Sequence, residues 1–355
     1  MTREYLKEAL KDYVCYQASK VTEKTFLHAN ENPSNLLEDP FFKEGILQII
    51  EEMAINRYPD PSSWEIRCAL AKYLGVKREE IIVGNGADEM ITLISSVYLE
   101  PGDVVVTHSP SFEMYGLSAK LQNAVEIAVP DVDGKIDVEG MIRAANEHRA
   151  KLLYLCTPNN PTGFLLSEES VRRVIDETDA LIILDEAYLE FTGKRIRPFL
   201  LEDRVIVLRT LSKAFGLAGL RVGYAAAQEP LINELNFARA PFNLNQFSQQ
   251  VGAFLVEHAD RQLEQVQGII DERERMYQEL KDKMGVTLWP SEGNFLLLRI
   301  DPSRYEALLD SFAAASIRVK AYGNRPQLEN CIRLTIGSPS ENDRALACFE
   351  EGKDA

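Results

Sequence analysis

Five short apolar runs, spaced by helix-like stretches, constrain this chain more than any other feature. They are IIVG at 81–84, DVVVTH at 103–108, KLLYLC at 151–156, LIILDE at 181–186 and RVIVLR at 204–209. Each is continuous in apolarity rather than alternating, the pattern of strands covered on both faces in a mostly parallel sheet. The stretches between them read as helices. Asp88 to Leu99 is one; Ser167 to Glu177 is another, with Ser167 as N-cap and Glu168 and Glu169 in the first turn. Such alternation specifies an α/β domain.

Beyond the last run, residues 245–285 read as one long polar helix connecting two domains. FLLLRI (295–300), a helix from Pro302 to Ala314 and CIRLTIG (331–337) then form a small α+β unit, which an N-terminal helix ending near Lys20 joins. The expected division is a large domain over 40–245 and a small one from 1–39 and 246–355. The 355 residues suffice for two such cores. A formal charge of −16 repels nucleic acid and anionic membrane surfaces, so an anionic substrate needs a local basic pocket. No apolar run approaches the roughly 20 residues that span a bilayer, and the charged N-terminus is unlike a signal peptide. A cytoplasmic protein is expected. The five cysteines and four histidines show neither C-x-x-C nor H-x-x-x-H spacing, so neither a disulfide framework nor a metal site is expected.

Chemistry concentrates where strands end. After RVIVLR comes TLSKAFGLAGLRVGY (210–224), with Lys213 among hydroxyls and glycines. By itself Lys213 admits two readings: a loop lysine neutralising a nearby acid, or a partly desolvated amine able to attack an aldehyde. Arg221 follows a Gly-rich turn whose small side chains let a guanidinium approach a phosphate. Asp185 closes the run LIILDE, where open α/β sheets bind ligands, and a pyridinium nitrogen is a suitable partner for its carboxylate. Asp185 and Glu186 are adjacent in a strand and point to opposite faces, so they do not form an acid/base pair. Tyr188 either donates to a ligand oxygen or packs at the strand end. Asn160, before Pro161, offers an amide at a turn. In VGNGADEM (83–90) a strand passes through Gly86, Ala87 and Asp88 into a helix, whose N-terminus can hold a phosphate.

The order and spacing of these elements resemble the aspartate-aminotransferase superfamily of fold type I, and most closely the histidinol-phosphate aminotransferase family. The resemblance runs through YQASK (16–20), HANENP (28–33), RYPDP (57–61), GNGADE (84–89), PNNPTG (158–163), DEAY (185–188), SKAFGLAGLRVGY (212–224) and IRLTIG (332–337), nearly the whole chain. It implies an α/β fold with a large domain around a mostly parallel sheet, a small α+β domain, and pyridoxal 5'-phosphate as cofactor. Lys213 is then the Schiff-base lysine and general base, and Asp185 the partner of the pyridine nitrogen. Asn160 and Tyr188 would bond the ring oxygen; Gly86, Ala87, Asp88, Thr210, Ser212 and Arg221 would cradle the phosphate. Phe112 stands where the family stacks an aromatic ring, often tyrosine. Tyr58 matches a tyrosine reaching the neighbouring subunit's cofactor phosphate, which implies a homodimer; a core Tyr beside a Pro-rich turn is the alternative.

The same resemblance places Tyr16, Asn30, Lys320, Arg325 and Arg333 at the substrate. Arg333 would bind the carboxylate of glutamate or 2-oxoglutarate in a bidentate pair. Lys320 stands where the family usually has arginine, and lysine holds a phosphate as a point charge without arginine's planar fork. The implied reaction moves an amino group between L-histidinol phosphate and 2-oxoglutarate. Aromatic amino-acid transamination and decarboxylation of threonine phosphate are the rival reactions. A cofactor-binding regulatory domain would need an attached basic DNA-binding segment, and this acidic chain shows aminotransferase motifs from end to end.

Overall fold

The computed structural model of the chain describes residues 5–7, 10 and 23–350. Tyr16 and the expected N-terminal helix lie outside the described residues. The strands are, in chain order, β1 (Thr25–Leu27), β2 (Ile81–Asn85), β3 (Val104–Ser109), β4 (Val125–Pro130), β5 (Leu152–Cys156), β6 (Leu181–Asp185), β7 (Val205–Thr210), β8 (Val222–Ala226), β9 (Val286–Leu288), β10 (Phe295–Ile300), β11 (Ile317–Ala321) and β12 (Cys331–Thr335). One sheet has seven strands in the order β2-β8-β7-β6-β5-β3-β4; the other has five, β1-β11-β12-β10-β9.

In the larger sheet β8 runs antiparallel to both neighbours, β2 and β7, and every other pairing is parallel. The carboxyl ends of six strands therefore share one edge, and β8 begins there. Ligands of open α/β sheets sit at such an edge. The continuous apolarity of the strands has the expected cause: Tyr154, Ile183 and Leu208 enter a core on one face, while Leu153, Leu155, Ile182 and Val207 enter a core on the other. Truncating one such leucine to alanine costs about 2–5 kcal/mol. Glu186 does turn away from Asp185. It meets buried Arg209 at 3.1 Å, which also holds Glu190 at 3.1 Å.

Two strands of this sheet carry no continuous apolar run. β4 lies at the edge, with Val125 half exposed, and mixes Glu126 and Pro130 with its apolar residues. β8 reads Val-Gly-Tyr-Ala-Ala, small residues packed between two neighbouring strands.

The expected long helix over 245–285 is two helices, Gln246–Glu257 and Ala259–Leu280. His258 breaks them: its φ and ψ of −108° and 30° leave the helical region, its N–H bonds the carbonyls of Leu255 and Val256, and its Nδ1 lies 2.8 Å from Phe254 O. The two halves also differ in character. Val251, Gly252, Ala253, Leu255 and Val256 of the first are buried and the helix packs on Trp64–Leu74, whereas the second packs along β9 and β10. Polar composition alone hides this division, because the first half's Ser248 and Gln249 are buried too.

In the smaller sheet β11 and β12 are antiparallel, and their register sets Lys320 directly opposite Arg333. One apolar cluster runs continuously from Leu27 and Ile66 through Leu211 and Leu244 to Phe295 and Ile332, so the two sheets share packed neighbours. Among the described residues no helix is long and apolar enough to cross a membrane.

Candidate active site

β7 ends at Thr210, and three residues later Lys213 leaves the sheet edge. Its Nζ donates to Ala29 O at 2.9 Å, just beyond β1, and stands 6.0 Å from the Tyr188 ring centre. Burial, then the charges of Arg333 and Arg221, push the Lys213 amine down to about 8. A fraction is thus unprotonated near neutrality, as a nucleophilic or proton-transferring amine requires.

Asp185, at the end of β6, is 4% exposed. Its Oδ2 accepts from Tyr115 Oη at 2.6 Å and its Oδ1 from the Ala187 N–H at 3.0 Å. Burial pushes its carboxyl up to about 6, against the pull of those two donors. A buried acid so raised is stabilised by a cationic neighbour.

A third feature lies where β2 turns into the helix Ala87–Tyr98, which begins without a side-chain cap. Gly86 has φ of +86°, and a Cβ there would come within 2.6 Å of Arg221 Nη2. Gly223 lets β8 approach equally closely, since its Cβ would be 2.2 Å from Ala87 N. Arg221 donates to Asp88 Oδ2 at 3.2 Å and reaches Ser212 Oγ at 3.5 Å. Thr210 Oγ1 donates to Val222 O and accepts from the Ser212 N–H, each at 3.1 Å. Helix-start N–H groups, two hydroxyls and a guanidinium thus gather beside Gly86, where a β-carbon would collide with the guanidinium. This donor set suits a phosphate. Asp88 belongs to it through its backbone, because its carboxylate is spent on Arg221.

Asn160 accepts from Arg333 Nη1, and Arg333 Nη2 donates to His28 O at 2.6 Å. Arg333 Nε has no partner among the described residues. Tyr188 Oη accepts from Asn30 Nδ2 at 3.0 Å. Asn30 is itself buried, exchanging bonds with Thr335 at 3.0 and 3.2 Å, so here its amide braces Tyr188. Lys320 Nζ sits 5.7 Å from the Tyr322 ring centre, and burial followed by Arg333 lowers its pKa.

The remaining expected residues are more dispersed. Arg325 pairs with Glu113, and with Phe112 it lines a cavity of about 430 Å³ beside the helix Met114–Leu121. Phe112 is half buried and meets Tyr115 edge-on at 5.7 Å. Tyr58 is 81% exposed, stacked on Phe242 at 4.6 Å, and its hydroxyl has no role within this chain's own site.

These residues fit pyridoxal phosphate on their own chemistry: an amine with lowered pKa, a buried acid in need of a cation, and a set of N–H, hydroxyl and guanidinium donors suited to a phosphate at one sheet edge. Sequence reasoning passed over Tyr115, Asn294 and Thr335. Asn294 Nδ2 donates to Asn30 O at 3.1 Å and so belongs to the brace behind Tyr188. Two signals were available: Tyr115 stands three residues after Phe112, and Thr335, in IRLTIG, stands two residues after Arg333 on the same face of β12; Asn294 carried none.

Comparison with known proteins agrees with this geometry. Residues 22–349 match the family of class I and II aminotransferases. A histidinol-phosphate aminotransferase of Caldanaerobacter subterraneus subsp. tengcongensis is 37% identical over 99% of both chains. One from Roseiflexus castenholzii is 39% identical over 92% of this chain and 88% of its own. The crystal structure of the Sinorhizobium meliloti histidinol-phosphate aminotransferase in complex with pyridoxal-5'-phosphate superposes with a TM-score of 0.85. It is 27% identical and covers 93% of this chain and 90% of that one. A Porphyromonas gingivalis L-threonine-O-3-phosphate decarboxylase, 21% identical with a TM-score of 0.80 over 92% of this chain and 99% of its own, shares the fold. The chain belongs to the class I and II aminotransferases, pyridoxal-phosphate enzymes of fold type I, and within them to the histidinol-phosphate aminotransferase family.

Proposed function

We propose that the chain exchanges an amino group between L-histidinol phosphate and 2-oxoglutarate, within histidine biosynthesis, as a cytoplasmic homodimer. The observation that carries the transaminase reading is the convergence of Lys213, Asp185 and the donor set around Arg221 on one edge of the larger sheet. When bound, pyridoxal phosphate supplies an aldehyde that takes up the amino group and an electron-poor ring that stabilises charge at the substrate α-carbon. Asp185 would hold the proton on the ring nitrogen. Asn160 and Tyr188 would donate to the ring oxygen, and Phe112 would offer its ring to the cofactor. Arg221, Ser212, Thr210 and the N–H groups of Ala87 and Asp88 hold the phosphate. Lys213 moves the proton at the substrate α-carbon.

For the substrate, support comes from the names of the relatives and from Lys320 opposite Arg333. Two cations facing one another on adjacent strands repel unless an anion lies between them, and either a carboxylate or a phosphate meets that need. Arg325, paired with Glu113, would join them only by leaving that partner. Exposed Tyr58, with exposed Ile55 and Trp64 along the same segment, supports a homodimer in which Tyr58 reaches the neighbouring site. Among the described residues the cysteines Cys68, Cys156, Cys331 and Cys348 are free, which suits a reducing compartment.

The test is to supply histidinol phosphate, phenylalanine, tyrosine and threonine phosphate in turn, measuring glutamate formed from 2-oxoglutarate and carbon dioxide released. Glutamate from histidinol phosphate at the highest kcat/KM is expected. Carbon dioxide from threonine phosphate, or a preference for phenylalanine or tyrosine, would overturn the reading.

A further inference from the structure

We infer that Tyr115 is a positioning residue: its hydroxyl keeps the Asp185 carboxylate ionised and aimed, and thereby sets where the proton shared with the cofactor's ring nitrogen resides. The inference rests on the reading of Asp185 given above and goes beyond it, because Tyr115 touches neither substrate nor cofactor in that reading.

Three observations carry it. The contact is short: Tyr115 Oη lies 2.6 Å from Asp185 Oδ2, within the range of a charge-assisted O–H···O⁻ bond. The hydroxyl's place is fixed by its ring, 1% exposed, stacked on Tyr154 at 4.4 Å and set edge-on to Phe112. Phe112 and Tyr115 are one turn apart, so the same piece of chain that offers a ring to the cofactor also supports the acid behind it.

The third observation is the poverty of other support. Asp185 faces Tyr115 and Tyr154, Cys156 from β5, its own neighbour Glu186, and Asp88 from the helix beginning at Ala87. Burial raises the phenols of Tyr115 and Tyr154 and the thiol of Cys156, so all three stay neutral. Glu186 is held by Arg209 and Asp88 by Arg221, and both carboxylates disfavour a further anion at Asp185. Against burial and those two charges the described donors are the Ala187 N–H and the Tyr115 hydroxyl, of which only the latter is a side chain. When Asp185 and a pyridine nitrogen share one proton, a donor on the carboxylate favours the arrangement with the proton on nitrogen. Removing it moves the proton toward oxygen and weakens the ring's pull on electrons.

The test compares wild type with Tyr115→Phe and with protein carrying fluorinated tyrosines, which keep the ring while grading hydroxyl acidity. In cofactor-free protein labelled with ¹³C at aspartate, the Asp185 carboxyl resonance, identified by its loss in Asp185→Asn, is titrated. Its midpoint should rise by about one pH unit or more in Tyr115→Phe and fall as the phenol is made more acidic. In holoenzyme the ¹⁵N shift of the labelled cofactor ring should move toward the unprotonated value, and the cofactor dissociation constant should rise roughly tenfold. Should Tyr115→Phe fail to fold, the fluorotyrosine series decides by itself. An Asp185 midpoint indifferent to the phenol would overturn the role of Tyr115. If the midpoint responds but Asp185→Asn binds cofactor as tightly as wild type with an unchanged ring ¹⁵N shift, the reading of Asp185 at the ring nitrogen fails instead, and the proton-sharing part of the inference with it.

Discussion

The two ends of the site are built differently. At the cofactor end, Asp185, Thr210, Lys213, Arg221 and the Gly86 turn all come from strand ends of one sheet, and each polar group has a partner of opposite character within 3.5 Å. At the substrate end, Lys320 and Arg333 come from the smaller sheet and face one another as like charges, with His28 nearby depressed by burial and by the charges of Arg318 and Arg333. The first end is braced by the protein's own hydrogen bonds. The second sets two cations opposite one another, an arrangement that an anion relieves. The fold itself leaves specificity to a few side chains of this second kind.

The largest test of that contrast falls on the rigid end. Lys213→Ala should lower turnover by about ten-thousand-fold and abolish the visible absorption of lysine-bound cofactor while circular dichroism is unchanged; retained turnover would break the contrast outright. Asp185→Asn keeps the shape and removes the charge, and single-turnover rates should fall roughly 10²- to 10³-fold. Asp185 also leaves a mark on cofactor-free protein. Its folded pKa, about 6, lies above the usual unfolded value, so the folded state binds the extra proton between those values. Stability from this group is therefore lost as pH rises through about 4 to 6, by an amount on the order of 3 kcal/mol. Urea denaturation should show that loss in wild type and not in Asp185→Asn.

Smaller effects are expected at the adjustable end. Lys320→Gln should raise KM for a phosphorylated amine roughly tenfold and leave KM for an aromatic amino acid within about twofold; Lys320→Arg should restore the former. Equal loss for both substrates would erase the distinction between the two ends. Tyr58→Phe should raise the cofactor dissociation constant a few-fold, with sedimentation still reporting a dimer.

Legibility followed the same division. Lys213, Asp185, Asn160 and Arg221 stand beside glycines, prolines and strand ends whose spacing is local, so the sequence displayed them together. Asn30 was legible as part of HANENP, but its work of bracing Tyr188 against Thr335 and Asn294 was not, because those partners are 158 to 305 residues away. The strands with continuous apolar runs were visible; β8 was not, since Gly223 must let Ala87 approach and Ala225 and Ala226 leave it without a β-branched run. The helix break at His258 escaped because neither glycine nor proline marks it.

By itself the sequence determined the alternation that makes the larger sheet, the turn chemistry at its edge and hence the identity of the groups that stand there. These are short-range properties, set by strand periodicity, glycine conformations and helix starts. Tertiary structure alone decided the proximity of Tyr115 to Asp185, the lowered pKa of Lys213 and the confrontation of Lys320 with Arg333. Each of those depends on desolvation or on distances between separate elements, quantities that come into being only when the chain folds.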